Sequence, residues 1–428
     1  MSPSSVPPFS QSSYAMALAL LLLAPLALAG LALMNTGLVR SRSAAQSLLG
    51  SLAVVSVAVI AFALVGSAFA SGSSARVLQF AGKPWNWLGE GSFFLSGLAA
   101  ASAREQIAVL FELMSVAMAA LIAWGSGADR FRLMGGIASA ATMASIVFPI
   151  TAHWIWGGGW LAQLGVNFSL GDGFIDTGGA SAAHTLGGLS ALIIIWLSGS
   201  RNAKFPKEDV STAMPGHSAV FVLFGCFLAL VGWLAWNASG ALVWLGAPLS
   251  ALPGVAVNTL LSAAAGLIGT FAVTRMRFGK PDASLCANGW LAGLVTSSAC
   301  AGVANPAESL ATGLVAGICT PLLVELLELG LSVDDPSGAI SVHGAAGLWG
   351  LFAASLFSPK AGQFLAQLIG IGTLLGLVLP VSYLLFALLN RVIPFRVDPD
   401  GQRLGMDLHE LGGAAYPEFV IHRDDPYR

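Results

Sequence analysis

The sequence predicts an all-α polytopic membrane protein: about eleven transmembrane helices, two inverted five-helix repeats plus one extra helix. Three observations carry that prediction. Of the 428 residues, 56% are apolar and only 9% charged, whereas a soluble domain carries about 25% charged residues. The apolar residues gather into about eleven runs, each near the roughly 20 residues that cross a hydrocarbon core. Finally, two stretches in separate halves share one local frame. Asp176–Leu189 reads D-T-G-G-A-S-A-A-H-T-L-G-G-L and Asp335–Leu348 reads D-P-S-G-A-I-S-V-H-G-A-A-G-L, each with a histidine eight places after its aspartate.

The runs lie near 14–38, 47–71, 106–126, 134–155, 177–198, 215–237, 250–273, 284–303, 308–330, 340–357 and 362–390. The 51 glycines suit helices that approach closely in a membrane. No Lys or Arg precedes Arg40, so the first run lacks the basic start of a signal peptide and is expected to stay as a span. Residues 72–105 form the longest loop between runs.

Basic residues set the orientation. Arg40 and Arg42 follow the first run, Arg130 and Arg132 the third, and Arg201, Lys204 and Lys207 the fifth. Arg275, Arg277 and Lys280 follow the seventh, and Arg391, Arg396, Arg403, Arg423 and Arg428 lie in the tail. With alternating spans all of these share one side, leaving Arg76, Lys83, Arg104 and Lys360 on the other. The N-terminus is therefore expected outside and the C-terminus in the cytoplasm. The expected division is an external segment 1–13, a first repeat 14–198, a cytoplasmic linker 199–214, a second repeat 215–357, the eleventh helix with its preceding loop 358–390, and a cytoplasmic tail 391–428. A bacterial-type inner membrane is the expected location.

In this topology the fifth span enters from outside near Asp176 and the tenth from the cytoplasm near Asp335, so the halves are inverted. Eight helical residues advance about 12 Å. In a core of about 30 Å, both His184 and His343 then lie near the midplane. An imidazole pair there can hydrogen-bond a small polar molecule and pass a proton. The competing reading is two unrelated core histidines bonded to backbone carbonyls.

Other ionisable and aromatic residues sit near the outer ends of spans. Asp176 can cap its helix and draw a cation toward the pore. Asp334 and Asp335 read as caps of the tenth span. In H-W-I-W-G-G-G-W (His153–Trp160), Trp154 and Trp160 read as interface anchors. Trp156, followed by three glycines, can offer a ring face to a cation, and Trp236 is a second aromatic candidate near the outer mouth. Glu112, a few residues into the third span, is a carboxyl that either snorkels to the outer interface or serves the mouth.

Some classes are excluded. The four cysteines (Cys226, Cys286, Cys300, Cys319) show no metal-ligand or disulfide pattern and read as small buried hydrophobes. There is no G-x-S-x-G, H-E-x-x-H or phosphate-binding G-x-x-x-x-G-K-[ST], so no enzyme and no cofactor is expected. No basic, aromatic-interleaved patch points to nucleic acid.

Taken in order, these motifs resemble the ammonium transporter family (Amt/Mep/Rh), and the resemblance covers nearly the whole chain. It rests on G-L-V-R (Gly37–Arg40), A-D-R-F-R (Ala128–Arg132), A-H-W-I-W-G-G-G (Ala152–Gly159), D-T-G-G-x-x-x-x-H (Asp176–His184), G-W-x-x-x-N-A (Gly232–Ala238), D-D-P-x-x-x-x-x-V-H-G (Asp334–Gly344) and G-x-D (Gly405–Asp407). The resemblance implies a homotrimer with one pore per subunit. It also implies recruitment of ammonium at an outer site, passage of ammonia between twin histidines, and a PII-type regulator that plugs the cytoplasmic mouth. By resemblance Asp176 matches the outer aspartate, Trp156 the recruitment tryptophan, and His184 and His343 the twin histidines. The chain also departs from the family. Counting back from Ala128–Arg132, the outer gate phenylalanine falls on Ser115 and the polar residue three positions before it on Glu112. The sixth-span phenylalanine becomes Trp236, and the recruitment serine falls on Gly240 with Ser239 beside it. The tyrosine before G-L-V-R becomes Asn35, and the tail's H-G-E reads Leu411, Gly412, Gly413. The outer mouth is therefore expected to hold ammonium less well by cation–π contact, with Glu112 compensating by charge. The changed tail counts against the regulator. An ammonium sensor with little flux and a neutral gas or small-amine channel are the alternatives.

Overall fold

The computed structural model describes residues 9–71, 77–206 and 211–417. Arg76, Lys207, Arg423 and Arg428 of the charge pattern, and residues 1–8 of the external segment, lie outside them. The long helices are α1 (Gln11–Leu38), α2 (Ser41–Ala70), α3 (Ala103–Gly125), α4 (Leu133–Ile155), α5 (Ala180–Ser198), α6 (Ala219–Trp244), α7 (Leu249–Phe278), α8 (Ala283–Cys300), α9 (Pro306–Gly330), α10 (Ala339–Phe357) and α11 (Gln363–Val392). Among the described residues, 10 helices are long and apolar enough to cross a membrane. The eighth expected span, α8, falls short of that measure. It is wrapped by α7, α9 and α10, so its surface meets protein rather than lipid. It can therefore carry Asn288, Thr296, Ser297 and Ser298, all buried.

The packing of the first half recurs in the second. α2 packs on α3 and α4, and α3 on α5; α7 packs on α8 and α9, and α8 on α10. The halves join where α1 crosses α6 and α5 crosses α10. Small residues make both crossings possible. A Cβ on Gly232 would lie 2.1 Å from the Ala27 nitrogen. One on Gly188 would lie 2.4 Å from the Gly344 nitrogen, and one on Gly347 2.5 Å from Thr185 Oγ1. Gly188 and Gly347 each stand four places after a histidine of the repeated frame.

Both histidine helices begin alike. Gly179 (φ +82°) and Gly338 (φ +70°) hold the left-handed turn that starts each helix. The first turns, Ala180–Thr185 and Ala339–Gly344, are π-helical, a local form common at functional sites.

One end of the bundle carries the arginine-rich loops and is called the basic end here; the other is the tryptophan end. At the basic end, Asp334 receives Arg130 Nη1 at 3.0 Å and Arg201 Nη2 at 2.9 Å, while Asp129 receives Arg40 Nε at 3.2 Å and Arg201 Nη1 at 3.4 Å. Asp334 is thus not a helix cap, as its place beside Asp335 suggested. Two buried guanidinium groups need a counter-charge more than the helix needs a second cap. The tail packs on the same end. Asp407 accepts from Gln46 N (2.8 Å) and Ala45 N (3.2 Å) at the start of α2, and Glu410 from Leu133 N (3.1 Å) at the start of α4.

At the tryptophan end, residues 77–101 include a hairpin of β1 (Leu78–Phe80) and β2 (Lys83–Trp85). Trp87 stacks on Trp160 with centroids 5.2 Å apart, and its carbonyl accepts from Trp154 Nε1 at 2.8 Å. Trp154 is only 8% exposed. Trp154 and Trp160 therefore hold this loop down, and Trp154 is no membrane-interface anchor. A further difference is the length of α6, which runs to Trp244. Trp236 therefore stands about two turns inside the helix end, not at its last turn.

A polar thread through an apolar bundle

The repeated frame places the central pair. Asp176 accepts from Ala180 N and Ser181 N, both at 2.8 Å, and from the Ser181 hydroxyl. Asp335 accepts from Ile340 N (3.1 Å), Ser341 N (3.0 Å) and Ser341 Oγ (3.1 Å). Each carboxylate thereby pins the first turn that bears a histidine. Where α5 crosses α10, His184 and His343 meet with 3.3 Å between their Nδ1 atoms, close enough for one ring nitrogen to donate to the other. Both residues are 1% exposed. Trp233 stacks on one face of His184, 4.9 Å between centroids and 12° between planes, and donates from Nε1 to Ser298 Oγ at 2.9 Å. His343 Nε2 is buried with no hydrogen-bond partner among the described residues.

Toward the tryptophan end lies an aromatic cluster centred on Phe111. Its ring meets Trp156 at 5.5 Å, and Trp236 and Trp244 at 5.7 Å each, all edge to face. Trp156 stacks on Trp244 (4.9 Å, 5°), and its Nε1 donates to the Asp176 carbonyl at 2.9 Å. Above the cluster opens a cavity of about 990 Å³, lined by Trp156, Trp244, Asp176 and Glu112 among others. Glu112 is 4% exposed, and its Oε2 is buried without a hydrogen-bond partner among the described residues. It does not snorkel to an interface. The indole nitrogens of Trp236 and Trp244 are likewise buried and unpartnered there. Glu112, Trp244, Trp236 and His343 thus each carry an unspent hydrogen-bonding atom within a largely apolar bundle.

The structure brings together most of the residues singled out in the sequence. Trp156, Asp176 and Glu112 share the cavity, Trp236 lies beneath it, and the two histidines touch. Ser115 and Ser239 stand apart chemically. Ser115 Oγ donates to Phe111 O at 2.8 Å and Ser239 Oγ to Trp236 O at 2.9 Å, each back onto its own helix. Phe111, one turn before Ser115, is fully buried and sets its ring edge to face against Trp156 beneath the cavity. Phe111, Trp233 and Trp244 escaped the sequence reading. Trp233 sits inside the G-W-x-x-x-N-A motif and Phe111 beside Glu112, which were the available signals.

Fold and site together define a multi-pass membrane protein with an aromatic-lined cavity at one end and a buried histidine pair where α5 crosses α10. The sequence pattern of the Ammonium Transporter Family matches residues 14–416, and the chain belongs to that family. It is 34% identical over 331 residues to the ammonium transporter Amt2 of Archaeoglobus fulgidus, covering 72% of this chain and 70% of that one. It is 30% identical over 366 residues to the ammonium transporter Amt2 of Haloferax mediterranei, covering 81% and 78%. Among solved structures it resembles a sensor Amt protein (TM-score 0.84, 25% identity, 93% of this chain and 98% of that one). It shares the fold of Candida albicans Mep2 (TM-score 0.75, 23% identity, 98% and 93%).

Proposed function

We propose that the chain recruits ammonium at the cavity of the tryptophan end and passes ammonia between His184 and His343, with the proton handled separately. The observation that carries this reading is the imidazole pair, 3.3 Å apart at the crossing of α5 and α10. Trp156, which lines the cavity, offers a ring face to a cation, Asp176 fixes Trp156 through its carbonyl, and Glu112 supplies negative charge. Ser115 and Ser239, buried with their hydroxyls bonded to their own helices, do not contact the substrate. The tryptophan end faces outward and the basic end the cytoplasm, as basic-residue placement requires. The two repeats divide at the linker 199–214, the subunit assembles as a homotrimer, and the basic end is where a PII-type regulator would dock.

The test is growth on scarce ammonium of cells deprived of their own ammonium uptake. The wild-type chain restores growth, and His184→Ala does not although it reaches the membrane equally. No rescue by the wild-type chain would refute the reading. The likeness to a protein described as a sensor favours one alternative, in which the same site binds ammonium and reports it with little flux.

A further inference from the structure

The structure assigns Glu112 as the group that takes the proton from the bound ammonium ion, an inference that rests on the substrate proposed above. A carboxylate out of water is tolerated only with a cation or a proton beside it. Glu112 is 4% exposed, its Oε2 has no partner among the described residues, and it lines the cavity. The other charged groups around that cavity are engaged elsewhere. Asp172 pairs with Lys360 at 2.5 Å, Asp176 caps α5, Glu105 receives Ser102 N at 2.8 Å, and Arg104 donates to the Val243 carbonyl. From the helices packed on α3, the titratable groups are Tyr14 on α1, His153 on α4, His184 on α5 and His343 on α10; the tryptophan-end halves of α2 and α6 present none.

Ammonium has four N–H donors and no lone pair, so it can bond to Glu112 but cannot accept from an indole. One N–H bond then breaks. The proton goes to a Glu112 oxygen, forming an O–H bond, and the bonding electron pair stays on nitrogen as the ammonia lone pair. A carboxylate and a cation become a carboxylic acid and ammonia, with charge conserved. Away from water the neutral pair is favoured, because neither product has a charge to desolvate. The new lone pair needs a donor, and Trp236 Nε1 and Trp244 Nε1 are buried without an acceptor among the described residues, both against Phe111. The site thus holds ammonium through Glu112 and ammonia through the indoles. The departing ammonia moves inward to the histidines, and the proton on Glu112 returns to the cavity.

Infrared difference spectra of the full chain in lipid, with and without ammonium, test this. Ammonium should raise a carboxylic-acid C=O band and remove carboxylate bands. The C=O band should be lost in Glu112→Gln, persist in His184→Ala, and shift in wild-type protein labelled with ¹³C-carboxyl glutamate. Absence of the band, its survival in Glu112→Gln, or its indifference to the label would overturn the assignment. Glu112→Asp, which keeps a carboxyl at the site but escapes the glutamate label, decides the matter if Glu112→Gln does not fold: its band should persist and no longer shift with the label. Flux in vesicles is read separately. The band without flux would refute transport and leave Glu112 as proton acceptor, whereas flux without the band would do the reverse.

Discussion

Trp233 fixes the position of His184 by covering one ring face and anchoring its own nitrogen on Ser298. Trp233→Ala should destabilise the protein by about 3–5 kcal/mol, the usual cost of deleting a buried tryptophan. Trp233→Phe keeps a stacking ring but loses the hydrogen bond and part of the buried indole volume, so it should cost less, about 2 kcal/mol; chemical denaturation in lipid or detergent would separate the two. Asp334 has its own signature. Burial pushes its carboxyl up, but Arg130 and Arg201 more than offset this and hold it at about 2, against an ordinary 3.8. A depressed carboxyl stabilises fully above its unfolded value and loses that contribution as pH falls through the folded one. The wild-type chain should therefore lose on the order of 2 kcal/mol between about pH 4 and pH 2 from this group. Asp334→Asn should lack that step while losing about 3–5 kcal/mol at neutral pH, because two guanidinium groups are left buried. An identical acid profile in both proteins would contradict this. At the residue scale the histidine frames were legible because ionisable groups stand out in apolar runs. Phe111, Trp233 and Trp244 were not, because an aromatic residue in a span looks alike whether it faces the conduit or the exterior. Trp233 is 1% exposed and Trp196 53%, yet both sit in similar apolar sequence.

Among the elements, α5 and α10 matter most, and their crossing depends on what is missing from Gly188. Gly188→Ala would place a methyl 2.4 Å from the Gly344 backbone nitrogen, which cannot rotate away as a side chain could. The helices must part, separating the imidazoles, at a cost of about 1–3 kcal/mol. Lower thermal stability and lost flux are the expected outcomes. Gly372→Ala, where nothing lies within 4 Å, should leave both intact. Equal behaviour of the two variants would show that the close approach is not needed. Helix positions were legible from hydropathy wherever a helix faces lipid. That signal fades for α8, which is buried among α7, α9 and α10; it reads as an apolar run in the sequence, yet falls short of the measure that the other long helices meet. The end of α6 was misplaced because Asn237, Ser239 and Gly240 resemble a loop in sequence. In the structure Asn237 donates to Thr259 Oγ1 and Ser297 Oγ, at 3.0 and 2.9 Å, inside the bundle.

For the whole molecule, the duplicated architecture explains why two carboxylates and two histidines do the same local work from opposite ends. The two halves bring equivalent turns to one crossing, so each histidine of the pair sits in a like π-helical turn while the two ends of the bundle differ. The tryptophan end has the cavity and Glu112, whereas the basic end has the ion-pair cluster and the tail. The most direct test is a rapid ammonium jump on proteoliposomes holding the full chain, recording charge movement and internal pH together. His184→Ala and empty liposomes are the controls. Transport through the histidine pair predicts a response above empty liposomes that His184→Ala abolishes. A sustained current would mean that the proton crosses as well, and alkalinisation without current that ammonia crosses alone. If the wild-type chain binds ammonium yet gives neither signal, the transport account is contradicted and the sensor reading takes its place.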